Sequence, residues 1–107
     1  MSSEKENKME KEKTLANLLD EINKNYTNYE VRYSLCLRAS AIAMELKYVT
    51  GFRHDPDEKD WPVLVIILPE IGEVSWHMPP VGVEYDHHTR YESKERIRKY
   101  ILLQKNA

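Results

Sequence analysis

The sequence has one cysteine, three glycines and no long apolar run, and each shortage excludes a class of protein. A single thiol, Cys36, cannot form an internal disulfide or a cysteine-based zinc site. Three glycines are too few for a glycine-rich phosphate loop. No apolar run approaches the ~20 residues that a membrane helix needs, and the charged N-terminus has no signal-peptide core. We therefore expect a cytoplasmic protein without a membrane partner.

A surplus of charge of one sign is also missing. The chain of 107 residues carries 16 Lys+Arg and 18 Asp+Glu, a net charge of −2. Long nucleic acids are not an expected partner, because proteins that bind them usually carry a basic surplus. The length supports one domain with a thin core, which favours a homo-oligomer. We expect residues 1–13 to be a charged flexible tail or a frayed helix start, and residues 14–107 to be one domain.

The N-terminal half has the periodicity of two helices. Apolar residues at i, i+3, i+4 and i+7 predict an amphipathic helix over roughly 12–24, with Thr14 as its N-cap. A capping box of Thr27 and Glu30 predicts a second helix that runs to about residue 48 and ends with Gly51 as its C-terminal glycine. The two apolar stripes consist of Leu15, Leu18, Leu19 and Ile22, and of Val31, Leu35, Ile42, Leu46 and Val49.

The C-terminal half predicts a β-hairpin followed by a helix. The β-branched run 63–68 is typical of a central strand buried on both faces, and the alternating run 74–78 is typical of a half-buried antiparallel partner. Residues 52–61 are predicted to be a loop. Thr89 and Glu92 form a second capping box, for a helix that ends near residue 103. An isolated hairpin is marginal, so a short strand or a second subunit should extend the sheet of this α+β fold.

The sequence offers little evidence of catalysis. It has no nucleophile elbow and no paired carboxylates, and Cys36, between leucines on a helix, is expected to be a buried structural thiol. The histidines at positions 77, 87 and 88 and Asp86 are metal ligands by type, but their spacing matches no metal site. We therefore assign no catalytic residue, no metal and no cofactor, and expect a binding protein rather than an enzyme.

Arginine, aromatic and histidine residues in the C-terminal half suggest a site for a nucleotide-like ligand. Arg53 and Arg90 can hold phosphates, Trp76 or Tyr85 can stack on a base, and the start of the third helix can bind phosphate through its N–H groups. The competing interpretation places Trp76 in the core and pairs Arg53 with acidic residues. Strand alternation puts Trp76 and His77 on opposite faces of the sheet. The candidate ligand-binding residues are Arg53, Trp76, His77, Tyr85, His88, Thr89 and Arg90.

Several motifs of the C-terminal half occur together in a known group of proteins. They are GFRHDP at 51–56, WPV at 61–63, GEVSWHMP at 72–79 and YDHHT at 85–89, followed by Arg96, Ile97 and Tyr100. As a set, they resemble small phage and prophage proteins with the patterns G-F-R-x-D-P, S-W-H-x-P and W-D-G-H-T. This chain departs from the last pattern, with tyrosine at position 85 and histidine at position 87.

The resemblance implies a phage protein, and phage proteins of this size are often counter-defence factors. Anti-Thoeris and anti-CBASS sponges are compact oligomers that hold cyclic nucleotides or ADP-ribose-derived signals without chemistry. By analogy with that class, we expect an oligomeric protein that sequesters a nucleotide-derived immune signal in the host cytoplasm. Two alternatives stay open. One is a small phosphodiester hydrolase using His77, His87 or His88, and the other is a module that docks a host protein through an apolar groove.

Overall fold

Three helices and a three-stranded antiparallel sheet make up this α+β fold. The computed structural model describes residues 2–24, 28–57, 61–80, 82–83 and 90–106. The sheet order is β1-β2-β3. In chain order the elements are α1 (Ser2–Ile22), α2 (Tyr29–Glu45), β1 (Thr50–Asp55), β2 (Trp61–Leu68), β3 (Gly72–His77) and α3 (Tyr91–Lys105).

Helix α1 begins well before the predicted start near residue 12. Thr14 is therefore not its N-cap but an interior residue, whose Oγ1 donates to the carbonyl of Glu10 at 2.9 Å. Lysines and glutamates alternate through the first turns, as with Lys8 and Glu12, four residues apart. Opposite charges at this spacing stabilise an exposed helix, which explains why a polar segment without an apolar stripe is helical.

The predicted capping residues of the other two helices are each displaced by one position. Asn28 is the N-cap of α2, and its side chain accepts the Val31 N–H at 3.1 Å. Arg90 is the N-cap of α3 and makes no side-chain capping bond. Thr27 and Thr89 lie outside the described residues. Asparagine caps a helix as well as threonine does, so the sequence could not distinguish the adjacent positions.

The end of α2 comes earlier than the sequence predicted. Lys47 adopts φ 67°, the left-handed conformation that usually belongs to glycine. The Tyr48 N–H then donates to the Ala43 carbonyl at 2.9 Å, which completes a Schellman-type ending. Gly51 lies instead in β1, so its assignment as the helix-ending glycine was wrong. A lysine can adopt the left-handed conformation at a cost of about 1–2 kcal/mol. Because lysine is also common inside helices, the sequence does not reveal that the helix ends here.

The predicted hairpin is confirmed, with β2 as the central strand. β2 pairs with β3 from Val63 opposite His77 to Leu68 opposite Gly72. The predicted loop at 52–61 is wrong in its first part, because β1 pairs with β2 on the other side. Most of β1 is exposed and polar, so it lacks the apolar alternation that identifies a half-buried strand. The strand expected to extend the hairpin is therefore supplied within the same chain.

One face of the sheet packs on the helices and forms the core. The predicted stripe of α1 is buried there, as are Leu64, Ile66 and Trp76 of the sheet. From α2 the core receives the small residues Cys36, Ala39 and Ala43, whereas Val31 and Val49 of the predicted stripe are exposed. The other face, called the far face below, is buried at Trp61 and Val63 of β2 but only half-buried at positions 65 and 67. The central strand is therefore not buried equally on both faces.

The lone thiol is part of this core, as predicted. Cys36 is fully buried, and burial raises its pKa to about 12 despite the opposing charge of Arg32 nearby. A thiol with so high a pKa is protonated at neutral pH and is a poor nucleophile. Cys36 therefore has a packing role.

Side chains from two helices cover the outer edge of β3. Three residues of β3 direct their backbone polar groups away from β2, and each of them bonds to a helix side chain. Two carbonyls accept from arginines at 2.6 and 3.3 Å, and one N–H donates to a serine hydroxyl at 3.2 Å. The pairs are Glu73 with Arg96, His77 with Arg32, and Ser75 with Ser93. This edge has no room for another strand.

Candidate functional site

A polar cluster on the far face brings together two of the predicted ligand-binding residues. The His77 Nε2 lies 2.9 Å from Asp55 Oδ2, and the Arg90 Nη2 lies 3.4 Å from that nitrogen and 3.9 Å from the same carboxylate oxygen. A carboxylate can only accept, so the Nε2 of His77 carries a proton in this contact. The His77 side chain is 4% exposed, whereas that of Arg90 is 54% exposed. The arginine is therefore the accessible member of the cluster.

The pKa of Asp55 is held below its ordinary value. The main cause is its hydrogen bond with His77, and the Asp57 N–H, which donates to Asp55 at 3.0 Å, adds to it. Both contacts favour the ionised carboxylate. At neutral pH Asp55 is therefore an anion, and its carboxylate orients the imidazole of His77.

We expect the acid sensitivity of the fold to decrease when Asp55 is replaced by asparagine. Because the pKa is lowered on folding, the carboxylate stabilises the protein above its unfolded-state pKa of about 3.9, and this contribution is lost as the pH falls through the folded-state value. Urea unfolding between about pH 2 and pH 7 measures the effect. Asp55→Asn should be less stable than wild type at neutral pH and should lose less stability on acidification. Parallel pH profiles would contradict this assignment.

Arg53 also lies on the far face, but a neighbouring carboxylate already occupies its guanidinium. Its two terminal nitrogens donate to the two oxygens of Glu73 at 2.7 and 2.8 Å. This bidentate bond lowers the pKa of Glu73. A phosphate would have to compete with that carboxylate for the same donors. Arg53 is thus a weaker candidate phosphate ligand than the sequence suggested.

The remaining predicted site residues do not join the cluster in the described part of the chain. Trp76 is 2% exposed, and its ring packs in the core on the opposite face from His77, so it offers no surface on which a base could stack. Tyr85, His88 and Thr89 lie outside the described residues, as does His87. Among the described residues, no group of three histidine, cysteine or acidic side chains is arranged to hold a metal ion.

A second concave surface lies on the helix side of the sheet and was not predicted as a site. It is a groove of about 890 Å³ between the first half of α2 and the ends of the strands. Its exposed rings are Tyr33 and Phe52, with Pro79 among the apolar residues between them. Arg38 lies on its wall and has no ion-pair partner among the described residues. The groove thus combines aromatic surface with one guanidinium, that of Arg38, and one carboxylate, that of Glu30.

The groove residues carried weak signals in the sequence. Arg38 lies off the apolar stripe of α2. A charged residue in that position is typical of any solvated helix face and does not by itself indicate a site. Phe52 is the chain's single phenylalanine, in a segment otherwise polar enough to be predicted as a loop. The two positions meet only because β1 pairs with β2 beneath α2. That pairing joins segments distant in the sequence, and the local periodicity of the sequence does not predict it.

Comparisons with known proteins identified no relative of this chain. A scan against family models found no match, and searches of the curated proteins and of the solved structures found none either. In the part of the chain that the structure describes, no helix is both long enough and apolar enough to cross a membrane. The function must therefore be argued from the two surfaces themselves.

Proposed function

We propose that this chain is a binding protein without catalytic activity, and that the groove beneath α2 is its ligand site. The observation that carries the proposal is the groove itself, an apolar concave surface of about 890 Å³ with few polar groups. Small-molecule sites usually have volumes of roughly 300–1,000 Å³ and a mainly apolar lining with a few placed polar groups. In the far-face cluster, by contrast, the Asp55 carboxylate already lies against both His77 and Arg90.

The aromatic rings and Arg38 of the groove suit a ligand with a flat ring and a negatively charged group that lies on the Arg38 side, away from the Glu30 carboxylate. Tyr33 and Phe52 present aromatic surface on which a base can stack, and base–aromatic stacking contributes roughly 1–3 kcal/mol per base. The Arg38 guanidinium can donate a bidentate pair of hydrogen bonds to a phosphate. These features together support a nucleotide-derived ligand.

The resemblance to small phage proteins supports a narrower form of the proposal. In that form the ligand is an immune signal, either a cyclic oligonucleotide or an ADP-ribose-derived molecule, and the protein holds it intact in the host cytoplasm. Arg90 is a predicted ligand residue that stays available for a second contact at the far face, because its side chain is 54% exposed. Homo-oligomer formation, expected from the thin core, is part of this proposal.

The hydrolase alternative has one favourable observation, the pairing of Asp55 with His77. An imidazole oriented by a carboxylate is a common arrangement of a general base. Against it, the His77 ring is nearly inaccessible, and a general base must come within hydrogen-bonding distance of the substrate. An incubated ligand that is recovered intact after denaturation of the protein would exclude hydrolysis.

We expect at least one nucleotide to raise the melting temperature in a thermal-shift screen. The probes are cyclic mono-, di- and trinucleotides and ADP-ribose cyclisation products, each with and without zinc. A ligand at 100 times its Kd adds about 2.7 kcal/mol, or roughly 10–20 °C for a domain of about this size. Arg38→Gln should weaken binding about 10- to 100-fold, because a charge-assisted hydrogen bond contributes roughly 1.5–3 kcal/mol.

Arg53→Gln is the matched control, because it removes the same charge from the far face. It should leave the affinity within about twofold, since the Arg53 guanidinium is already paired with Glu73. Binding that depends on Arg53 or Arg90 but not on Arg38 would move the site to the far face. A panel without any shift would overturn the nucleotide proposal and favour a protein partner in the groove.

A further inference from the structure

The outer edge of β1 is open at Thr50 and Phe52, unlike the covered edge of β3. The Ile67 N–H donates to the Val49 carbonyl at 2.8 Å, so Gly51 and Arg53, which follow at alternate positions, bond to β2. The N–H and C=O groups of Phe52 must then point away from the sheet, as must those of Thr50. Within the described ranges these groups have no hydrogen-bond partner.

No lysine, proline or bulge protects this edge, and the two charged residues of β1, Arg53 and Asp55, are paired with side chains of β3 on the far face. Natural edge strands commonly carry lysine, proline or a bulge, which prevent pairing with another strand. Residues 50–55 contain neither lysine nor proline, and their register with β2 is unbroken. The edge is also bordered on the helix side by the exposed apolar side chains of Leu37 and Phe52, which line one groove and which we call the β1 rim. An unpaired edge beside an apolar rim is suited to pairing with another strand.

We propose that two copies of this chain pair antiparallel through their β1 edges, with Phe52 opposite Phe52 of the partner subunit. The two sheets then form one sheet of six strands, and the two β1 rims meet on its helix side. A second copy is the favoured occupant because the edge is complementary to itself in this register. The interface rests on the open edge and does not depend on which ligand the groove binds.

The charges on β1 select this register. In a continuous sheet, opposed residues must lie on the same face, so the two-fold axis passes through a residue and not between two residues. Centring on residue 52 or residue 53 gives the greatest overlap of the two β1 strands, with five residues of each strand paired. Centring on 53 would place Arg53 against its own copy, and like charges directly opposite each other are unfavourable. Centring on 52 puts Arg53 opposite Gly51, where a Cβ would meet no atom within 4 Å. It also makes an aromatic pair at the axis, which is a favourable cross-strand contact.

This pairing affects the groove, because Phe52 lies at its β1 side. Phe52 of the partner subunit would stand beside it and add a second ring at that opening. Each groove would then be bounded by both subunits. The proposal therefore explains why Phe52, which is 56% exposed in the single chain against 37% for Tyr33, lies at the sheet edge.

Sedimentation velocity on the full chain tests the pairing. At about 100 µM the wild type should sediment as a dimer, twice the chain mass of 12.7 kDa. Phe52→Pro removes the outward N–H without removing a bond to β2, and should raise the dimer Kd at least tenfold. Phe52→Thr is its matched control, since it loses the ring but keeps the N–H, and should have a smaller effect. A monomeric wild type, or a dimer unaffected by Phe52→Pro, would overturn the proposal.

Cross-linking tests the register independently of affinity. Phe52→Cys places two thiols across the axis at a Cα–Cα separation of about 5.5 Å, which a disulfide can span. His54→Cys is the control, because its two copies would be about 14 Å apart along the strands. We expect mild oxidation to link Phe52→Cys and not His54→Cys. Linking of only the His54 variant, or recovery of the wild type with another protein's strand on this edge, would contradict self-pairing.

Discussion

Replacing Leu64 by alanine is expected to lower the free energy of unfolding by about 3 kcal/mol. Leu64 is fully buried at the centre of β2, with Phe52 and Trp76 opposite it on the neighbouring strands. Truncation removes apolar contacts and leaves a cavity that surrounding backbone cannot fill, which costs roughly 2–5 kcal/mol for buried leucines. A domain has only about 5–15 kcal/mol of stability in total. This one change therefore removes a large fraction of it.

The neighbouring residue provides a matched control. Val65 belongs to the same strand but points to the far face, where it is only half-buried. Val65→Ala should cost about 1 kcal/mol, because less apolar surface is lost and solvent can reach the site. Urea unfolding at one fixed protein concentration measures both variants, with unchanged m values if the unfolded state is unaffected. Equal losses at the two positions would show that the far face contributes as much to the core as the helix face.

The second large effect is expected at the end of the β2–β3 hairpin. Gly72 has φ +128°, a conformation that residues with a side chain rarely adopt, and an added Cβ would lie 3.2 Å from the Nε of Arg96. Gly72→Ala should therefore destabilise the protein by about 2–3 kcal/mol, mainly through backbone strain. Displacing Arg96 would also weaken its hydrogen bond to the Glu73 carbonyl. Thermal unfolding should show a decrease of roughly 10–20 °C.

Gly51→Ala is the control for that substitution. Its backbone is not in the left-handed region, and its added Cβ would meet no atom within 4 Å. We expect a change of less than about 1 kcal/mol, with a small gain possible because alanine restricts the unfolded chain. If both glycine variants lose the same stability, the strain assigned to Gly72 is absent.

The sequence predicted the elements whose signal is local and apolar. The stripe of α1 and the β-branched run of β2 follow the periodicity of their structures, and both are buried as expected. β1 was missed because an edge strand needs no buried side chains of its own, and its polar residues resemble those of a loop. The buried face of α2 was predicted in part. Leu35, Ile42 and Leu46 of the predicted stripe pack against the core, but the fully buried contacts come from a cysteine and two alanines and not from the valines.

The candidate sites were harder to predict, because they depend on contacts between distant parts of the chain. His77 and Arg90 were recognised by residue type, but their partner Asp55 lies on a strand that the sequence did not predict. Trp76 was chosen as a candidate for its aromatic ring. It is the neighbour of His77 on β3, and adjacent residues of a strand lie on opposite faces, so Trp76 is in the core while His77 is on the far face. The groove was not anticipated, because Arg38 and Phe52 meet only after the sheet has formed.

The covering of β3 by Arg96, Ser93 and Arg32 limits how far this sheet can grow. A protein whose β-sheet has two open edges can add a further copy at each edge and so polymerise into a filament. Here one edge is satisfied by helix side chains, so β1 is the one open edge in the described part of the sheet. Pairing of two copies about a two-fold axis would consume both open edges and terminate assembly. The hydrogen bonds that hold α2 and α3 against β3 are thus also a barrier against fibre formation.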